Sequence, residues 1–179
     1  MTDSRAAFLR SSAFVLLFTF GAACQTTPGL RNFHEVNEHV YRGAQPAVWG
    51  YKTLKSLGIK TVIDLRGEGI AEAVEQKLVR NNGMNFLSVP LDGHKAPTPD
   101  QITKLISILN DPSKWPVFVH CRRGADRTGT VMACYRITHD HWDNRKALEE
   151  AKSFDMDPGQ KLMQKFILDF QAPTPALTQ

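Results

Sequence analysis

The stretch Val117-Phe-Val-His-Cys-Arg-Arg-Gly-Ala-Asp-Arg-Thr-Gly129 constrains the fold of this 179-residue chain more than any other. Val117, Phe118 and Val119 form a short apolar run of strand-forming residues, and a helix-like apolar pattern starts at Val131. Between them lies a tight loop. A strand-loop-helix turn aims its backbone N–H groups, with the positive end of the helix dipole, at one point in space. Gly124 permits the curl, so the loop predicts a concave site for an anion with several oxygens. Cys121 stands at its rim, where the dipole and Arg127 favour a thiolate. Arg127 returns across the loop and offers a planar fork to two oxygens, which lysine does not imitate. A thiolate facing a held phosphate suits displacement at phosphorus. Thr128 is placed to donate its hydroxyl to the sulfur, and His120 to turn inward and fix the loop backbone.

At these residues the chain resembles the cysteine-dependent protein tyrosine phosphatase superfamily, whose signature His-Cys-x5-Arg-Ser/Thr reads here His120 to Thr128. A second phrase, Val40-Tyr-Arg-Gly-Ala-Gln-Pro46, resembles the opening of compact dual-specificity-type phosphatases. The resemblance spans about residues 34–171 and implies a phosphocysteine intermediate with no cofactor and no metal. It also implies that Cys121 and Arg127 are catalytic, with Thr128 and His120 in support, and that Arg122, Arg123, Gly124, Ala125 and Asp126 line the substrate site.

The leaving group needs a proton, and a carboxylic acid on a movable loop can supply it. Asp92 lies 29 residues before Cys121, at the end of a strand, in Pro90-Leu-Asp-Gly-His-Lys95; this resembles the placement of the acid in dual-specificity phosphatases. Asp100 is the competitor, although its place before a helix suits a first-turn role. His94 and Lys95 either add positive charge over the pocket or are solvated. Arg42 either reaches the substrate rim or forms a structural ion pair; Asp64 and Arg66 at a strand end invite a catalytic reading, but the resemblance implies that they are scaffold. His139-Asp-His141 lacks the remaining ligands of a metal site.

Periodicity organises the rest. Strands are expected at Val36–Tyr41, Ile59–Leu65 (taken as central), Met84–Val89 and from Val117. Helices are expected over 48–57, 72–82, 101–109, 130–137, 144–154 and 160–170, the last burying Leu162, Phe166, Ile167 and Phe170. Alternating strands and helices predict an α/β fold, a mostly parallel sheet flanked by helices on both sides, with ligands beyond the carboxyl ends of the strands.

Residues 1–24 resemble an export signal: basic Arg5 and Arg10, an apolar stretch of about a dozen residues, then Gly21-Ala-Ala23. That stretch is short of the ~20 residues of a spanning helix. Cys24 follows as in a lipoprotein cleavage site, except that Gly21 stands where an aliphatic residue is usual; a conventional cleavage site is the alternative. The expectation is therefore an exported protein of the periplasm or cell envelope, tethered to a membrane if Cys24 is lipidated. Residues 25–33 read as a linker, 34–171 as one domain and 172–179 as a flexible tail.

With 42% hydrophobic residues the chain suits a single core, and the three cysteines do not form a disulfide framework. A net charge of +4 favours anionic partners, yet no basic stripe interleaved with aromatics points to nucleic acid. Two partner classes remain: phosphorylated protein, and inositol phosphate or phosphoinositide. The relatives that act on inositol lipids often carry Lys where this loop has Ala125. A non-catalytic phosphate-binding module and a rhodanese-like sulfurtransferase are the readings from other classes.

Overall fold

A computed structural model describes residues 27–67 and 69–173. The expected signal at 1–24, Cys24 and most of the tail lie outside the described residues. The elements run β1 (His34–Asn37), β2 (Val40–Ala44), α1 (Gly50–Ser56), β3 (Thr61–Asp64), α2 (Ile70–Asn81) and β4 (Asn85–Ser88). There follow α3 (Pro99–Leu109), a one-turn 3-10 helix (Pro112–Lys114), β5 (Val117–Cys121), α4 (Asp126–His139), α5 (Asn144–Ser153) and α6 (Lys161–Asp169).

The five strands order as β1-β2-β5-β3-β4, all parallel except the β1–β2 hairpin. This is the predicted α/β sheet. Its centre is β5 and not β3: every residue of β5 is buried between β2 and β3. The expected single strand over Val36–Tyr41 divides into a hairpin. Asn37 turns the chain by accepting the N–H groups of His39 and Val40 on its side-chain oxygen, a local bond that competes with a continued strand.

One face of the sheet packs Val40, Ile63, Val117 and Val119 against Leu105 and Leu109 of α3 and Val131, Met132 and Tyr135 of α4. The other packs Val62, Phe86 and Phe118 against Tyr51 and Leu54 of α1 and Val79 of α2. On its outer side α4 meets α5 and α6 through Ala133, Ile137, Ala147, Leu148 and Ile167. Buried on two sides, α4 has no polar face, which is why its sequence reads as weakly amphipathic. In α6 the buried residues are Met163 and Ile167, while Leu162 points to solvent, so the predicted apolar face is rotated. Cys134 is buried in α4 as expected, and burial pushes its thiol up. No helix among the described residues is long and apolar enough to cross a membrane.

The linker reading for 25–33 is corrected from Thr27 onward. Leu30 is 6% exposed and packs with Tyr51, Leu54 and Phe118. Ala44 N donates to the Arg31 carbonyl at 2.9 Å, and Ala47 N to the Gly29 carbonyl at 2.9 Å. A lone leucine in a polar stretch gives no periodicity to read, and the anchoring bonds are backbone bonds. Leu30→Ala should cost about 2 kcal/mol or more in denaturant unfolding. A loss under about 0.5 kcal/mol, the range of surface substitutions, would restore the tether.

Candidate active site

Because the strands are parallel and in register, Ala44 pairs with Cys121, and Asp64 with both His120 and Ser88, so their carboxyl ends share one edge of the sheet. The 121–127 loop rises from that edge. Gly124 has φ +72° and lies against β2, where an added Cβ would overlap the Gly43 carbonyl group and come within 2.5 Å of Ala44 N. Only glycine serves there. The N–H groups of Arg122, Arg123, Gly124 and Ala125 find no acceptor among the described residues. Ala125, the N-cap of α4, has no side chain with which to cap the first turn. Unpaired donors and an uncapped helix start lie together in this one turn, as an anion cradle requires.

Cys121, 2% exposed, opens onto a cleft of about 350 Å³. Arg122, Arg123, Asp126 and Arg127 line it from the loop, and Gly93, His94, Asp157 and Gln160 from outside. Arg127 Nη1 donates to the Leu65 carbonyl at 3.4 Å, which holds its fork beyond the end of β3 and beside Gly93. Thr128 is fully buried, but its hydroxyl makes no hydrogen bond among the described residues, to sulfur included. Of the expected substrate-site residues, Gly124 and Ala125 turn inward and shape the loop; Arg122, Arg123 and Asp126 face the cleft.

His120 turns inward as expected, and more than loop backbone holds it. Its Nδ1 lies 3.3 Å from the Cys121 carbonyl, and its ring stacks on Phe118. Nε2 lies 3.0 Å from Glu75 Oε1 but misses the linear geometry of a full hydrogen bond. Glu75 also accepts the Tyr51 hydroxyl at 2.7 Å and a guanidinium nitrogen of Arg66. Arg66 makes a two-pronged bond to Asp64, with Nε at 2.9 Å and Nη2 at 2.8 Å. The scaffold reading of Asp64 and Arg66 thus holds, and Glu75, which no local pattern marks, completes it from α2. Asp64, Glu75 and His120 bring ligand atoms within 4.8 Å of one another, but the cation among these carboxylates is Arg66. Burial pushes the Glu75 carboxyl up, yet His120, Tyr51 and Arg66 outweigh it and hold it below the usual range.

Arg42 is neither of the things expected of it. It is 1% exposed, donates from Nη2 to the Gly124 carbonyl at 2.8 Å, and lies over the Phe154 ring at 4.3 Å. It has no carboxylate partner within ion-pair distance among the described residues, and burial lowers its pKa to about 10 against the raising influence of Glu150 and Cys121. It is a buried cation set beneath the cradle.

Asp92 is not in the cleft. Its Oδ1 accepts the N–H groups of His94 at 2.7 Å and Lys95 at 3.2 Å, in a half-exposed turn. Those bonds, the one from His94 first, hold its carboxyl below the usual range. Lys95 follows Asp92 outward at 3.9 Å, while His94 reaches the cleft. Asp100 sits exposed in the first turn of α3, behind a capping box of Thr98 and Gln101. Sequence reasoning missed Gln160 and Asp157. Gln160 Nε2 donates to the Gly93 carbonyl at 3.0 Å and ties the Asp92 loop to the start of α6. Asp126 accepts Arg123 at 2.6 Å and the N–H of Asp157 at 2.8 Å. The Gln160 contact comes from the N-cap of α6 and the Asp157 contact from the turn just before it.

A mostly parallel sheet carrying a cysteine at the mouth of an anion cradle, with an arginine lining the same cleft, defines a cysteine-dependent phosphatase fold. Residues 24–169 match the family described as "DSP-PTPase phosphatase fused to NAD+ Kinase", and the chain belongs to this dual-specificity-type phosphatase family. It is 33% identical over 109 residues to inositol diphosphatase DSP1 of Oryza sativa, covering 59% of this chain and 49% of that protein. It is 29% identical over 119 residues to the dual specificity protein phosphatase TpbA of Pseudomonas aeruginosa, covering 66% and 52%. The chain thus spans about half the length of these curated relatives. The core catalytic domain of the PP-IP phosphatase SIW14 from S. cerevisiae shares the fold with a TM-score of 0.72 at 24% identity, covering 82% of this chain and 89% of that one.

Two outcomes follow from this geometry. Gly124→Ala should abolish binding of vanadate as a phosphate mimic and cost about 1–3 kcal/mol, read by calorimetry and denaturant unfolding; unchanged binding would contradict the cradle. Glu75 is held below its ordinary 4.5, so its contribution is present above that pH and lost as pH falls through the lower folded value. Wild type should therefore lose stability below about pH 4.5, and Glu75→Gln should be destabilised near neutrality with a flatter acid limb. Parallel stability curves would contradict the network.

Proposed function

We propose that the chain hydrolyses phosphomonoesters through a phosphocysteine, with phosphorylated protein as substrate. The observation that carries the reaction is the cradle around Cys121, with its unpaired N–H groups and Arg127. The Cys121 sulfur attacks phosphorus, the S–P bond forms and the ester P–O bond breaks. The equatorial oxygens meet the loop N–H groups and the Arg127 fork. The leaving oxygen takes a proton, and water then cleaves the phosphocysteine to free phosphate. The same geometry serves a thiolate nucleophile better than a binding module, which has no use for a cysteine at the mouth.

Asp92 remains the proposed proton donor, on condition that its loop rearranges. Bound by two N–H groups its carboxyl is held ionised, so the 92–95 turn must open for the acid to enter the cleft protonated. Opening removes the bonds that lower its pKa, which couples loop movement to proton supply.

Charge at the rim favours phosphoprotein over a densely phosphorylated inositol. Arg123 is neutralised by Asp126, the Asp157 carboxylate stands beside them, and Ala125 adds no charge. A polyanion would meet the Asp126 and Asp157 carboxylates beside Arg122, Arg123 and Arg127, where a single phosphate monoester needs only the Arg127 fork. Inositol pyrophosphate is the second reading, favoured by the similarity to DSP1. Export is part of the proposal and is supported by the sequence of residues 1–24 alone.

Turnover of para-nitrophenyl phosphate should survive EDTA and vanish in Cys121→Ser; activity in that variant would remove the phosphocysteine. Asp92→Asn should lower kcat about 10²–10⁴-fold on esters with poor leaving groups and far less on the nitrophenyl ester. Equal loss on both would show that Asp92 supplies no proton.

A further inference from the structure

A larger groove of about 1000 Å³ adjoins the cleft, and Arg122 lines both. One wall is the segment from Thr27 to His34; the other is the turn from Gln45 to Ala47 with Trp49. The walls are tied at their base. Ala47 N donates to the Gly29 carbonyl, Ala44 N to the Arg31 carbonyl, and Gln45 N to the Arg122 carbonyl at 3.4 Å. Gly29 and Trp49 are in contact so close that a Cβ on Gly29 would come within 2.7 Å of Trp49 Cδ1. Asn32 Nδ2 donates to the Arg123 carbonyl at 3.3 Å, which pins the first wall to the cradle itself. The groove is therefore pre-formed and fixed relative to Cys121.

Its chemistry is mixed in a particular way. Trp49 is 65% exposed, a large aromatic surface that the fold does not use, and Pro28, Phe33 and Pro46 continue the apolar lining. The charged groups are Arg31 and Arg122, with His34 beside them and no carboxylate in the lining among the described residues. A compact inositol polyphosphate has no apolar part to place on Trp49. A polypeptide has both, and it must pass over the rim if its phosphorylated side chain enters the cleft.

We propose that this groove binds the polypeptide flanking the phosphorylated residue of a protein substrate, and selects segments that combine an acidic side chain, against Arg31 and Arg122, with an apolar or aromatic one on Trp49. The proposal rests on the phosphoprotein reading and deepens it. The small cleft then sets the reaction, and the groove sets the choice of substrate.

The test uses the full chain and two phosphotyrosine peptides that differ only in their flanks: one with acidic and aromatic neighbours, one with glycine and lysine neighbours. The first should show a kcat/KM about tenfold or more above the second, with the difference in KM. Trp49→Ala should erase most of that preference, and Arg31→Glu should shift it towards the lysine-flanked peptide, while both variants keep the wild-type rate on para-nitrophenyl phosphate. Equal kcat/KM for the two peptides, or a loss in the variants that is the same on peptide and aryl ester, overturns the groove. So does efficient hydrolysis of inositol pyrophosphate that neither variant alters and that exceeds peptide hydrolysis. If the wild type cleaves no phosphomonoester at all, the phosphatase reading fails by itself. The groove is then judged by calorimetric binding of the same peptides carrying a non-hydrolysable phosphonate, where equal affinities overturn it.

Discussion

The approach of the 121–127 loop to the backbone of β2 is the constraint on which the site depends. Gly124 lies so near the Gly43 carbonyl and Ala44 N that no side chain fits between them. Arg42, from the same strand, holds the Gly124 carbonyl from beneath. The loop's carbonyls are taken by Gln45 N, Asn32 and Arg42, while the N–H groups of residues 122–125 find no acceptor among the described residues. The phrase Val40–Pro46 and the phrase His120–Thr128 are thus two halves of one structure, joined by the parallel pairing of Ala44 with Cys121. Beneath the other side of the loop the chain of Tyr51, Glu75, Arg66 and Asp64 performs the corresponding task for His120. Buried charge of this kind adds little to net stability, but removing one member leaves the others unpaired, so it specifies one arrangement.

What the sequence made legible is what local pattern encodes. The strand-loop-helix around Cys121, the inward His120, the first-turn place of Asp100 and the scaffold role of Asp64 and Arg66 all follow from neighbours in the chain or from the motif. The losses share a different cause. Glu75 reaches His120 across 45 residues, Gln160 reaches Gly93 across 67, and Arg42 reaches Gly124 across 82. No period or spacing records such contacts. A single buried leucine has no pattern, so Leu30 is indistinguishable from linker in the sequence, and a helical stripe fixes a face only to within a residue, so the pattern places Leu162 in the core. Asp92 was found, but its captured carboxylate depends on how the 92–95 turn closes on itself.

Charge distribution connects the cradle to the choice of substrate. The loop carries Arg122 and Arg123, yet the second is spent on Asp126, and Asp126 also holds the Asp157 loop. The rim is therefore less cationic than the run of arginines suggests, while Arg122, without an ion-pair partner among the described residues, lines cleft and groove together. One phosphate grip beside an amphipathic flank is the basis of the proposed phosphoprotein substrate, as against a compact polyanion.

The most direct measurement of the central claim is rapid acid quenching during turnover of an aryl phosphate, followed by mass spectrometry of the peptide that contains Cys121. The account predicts one added phosphoryl group on Cys121, formed with the first burst of product and absent in Cys121→Ser. Product formed in a burst with no phosphoryl group on Cys121, or with the group on another residue, would contradict it.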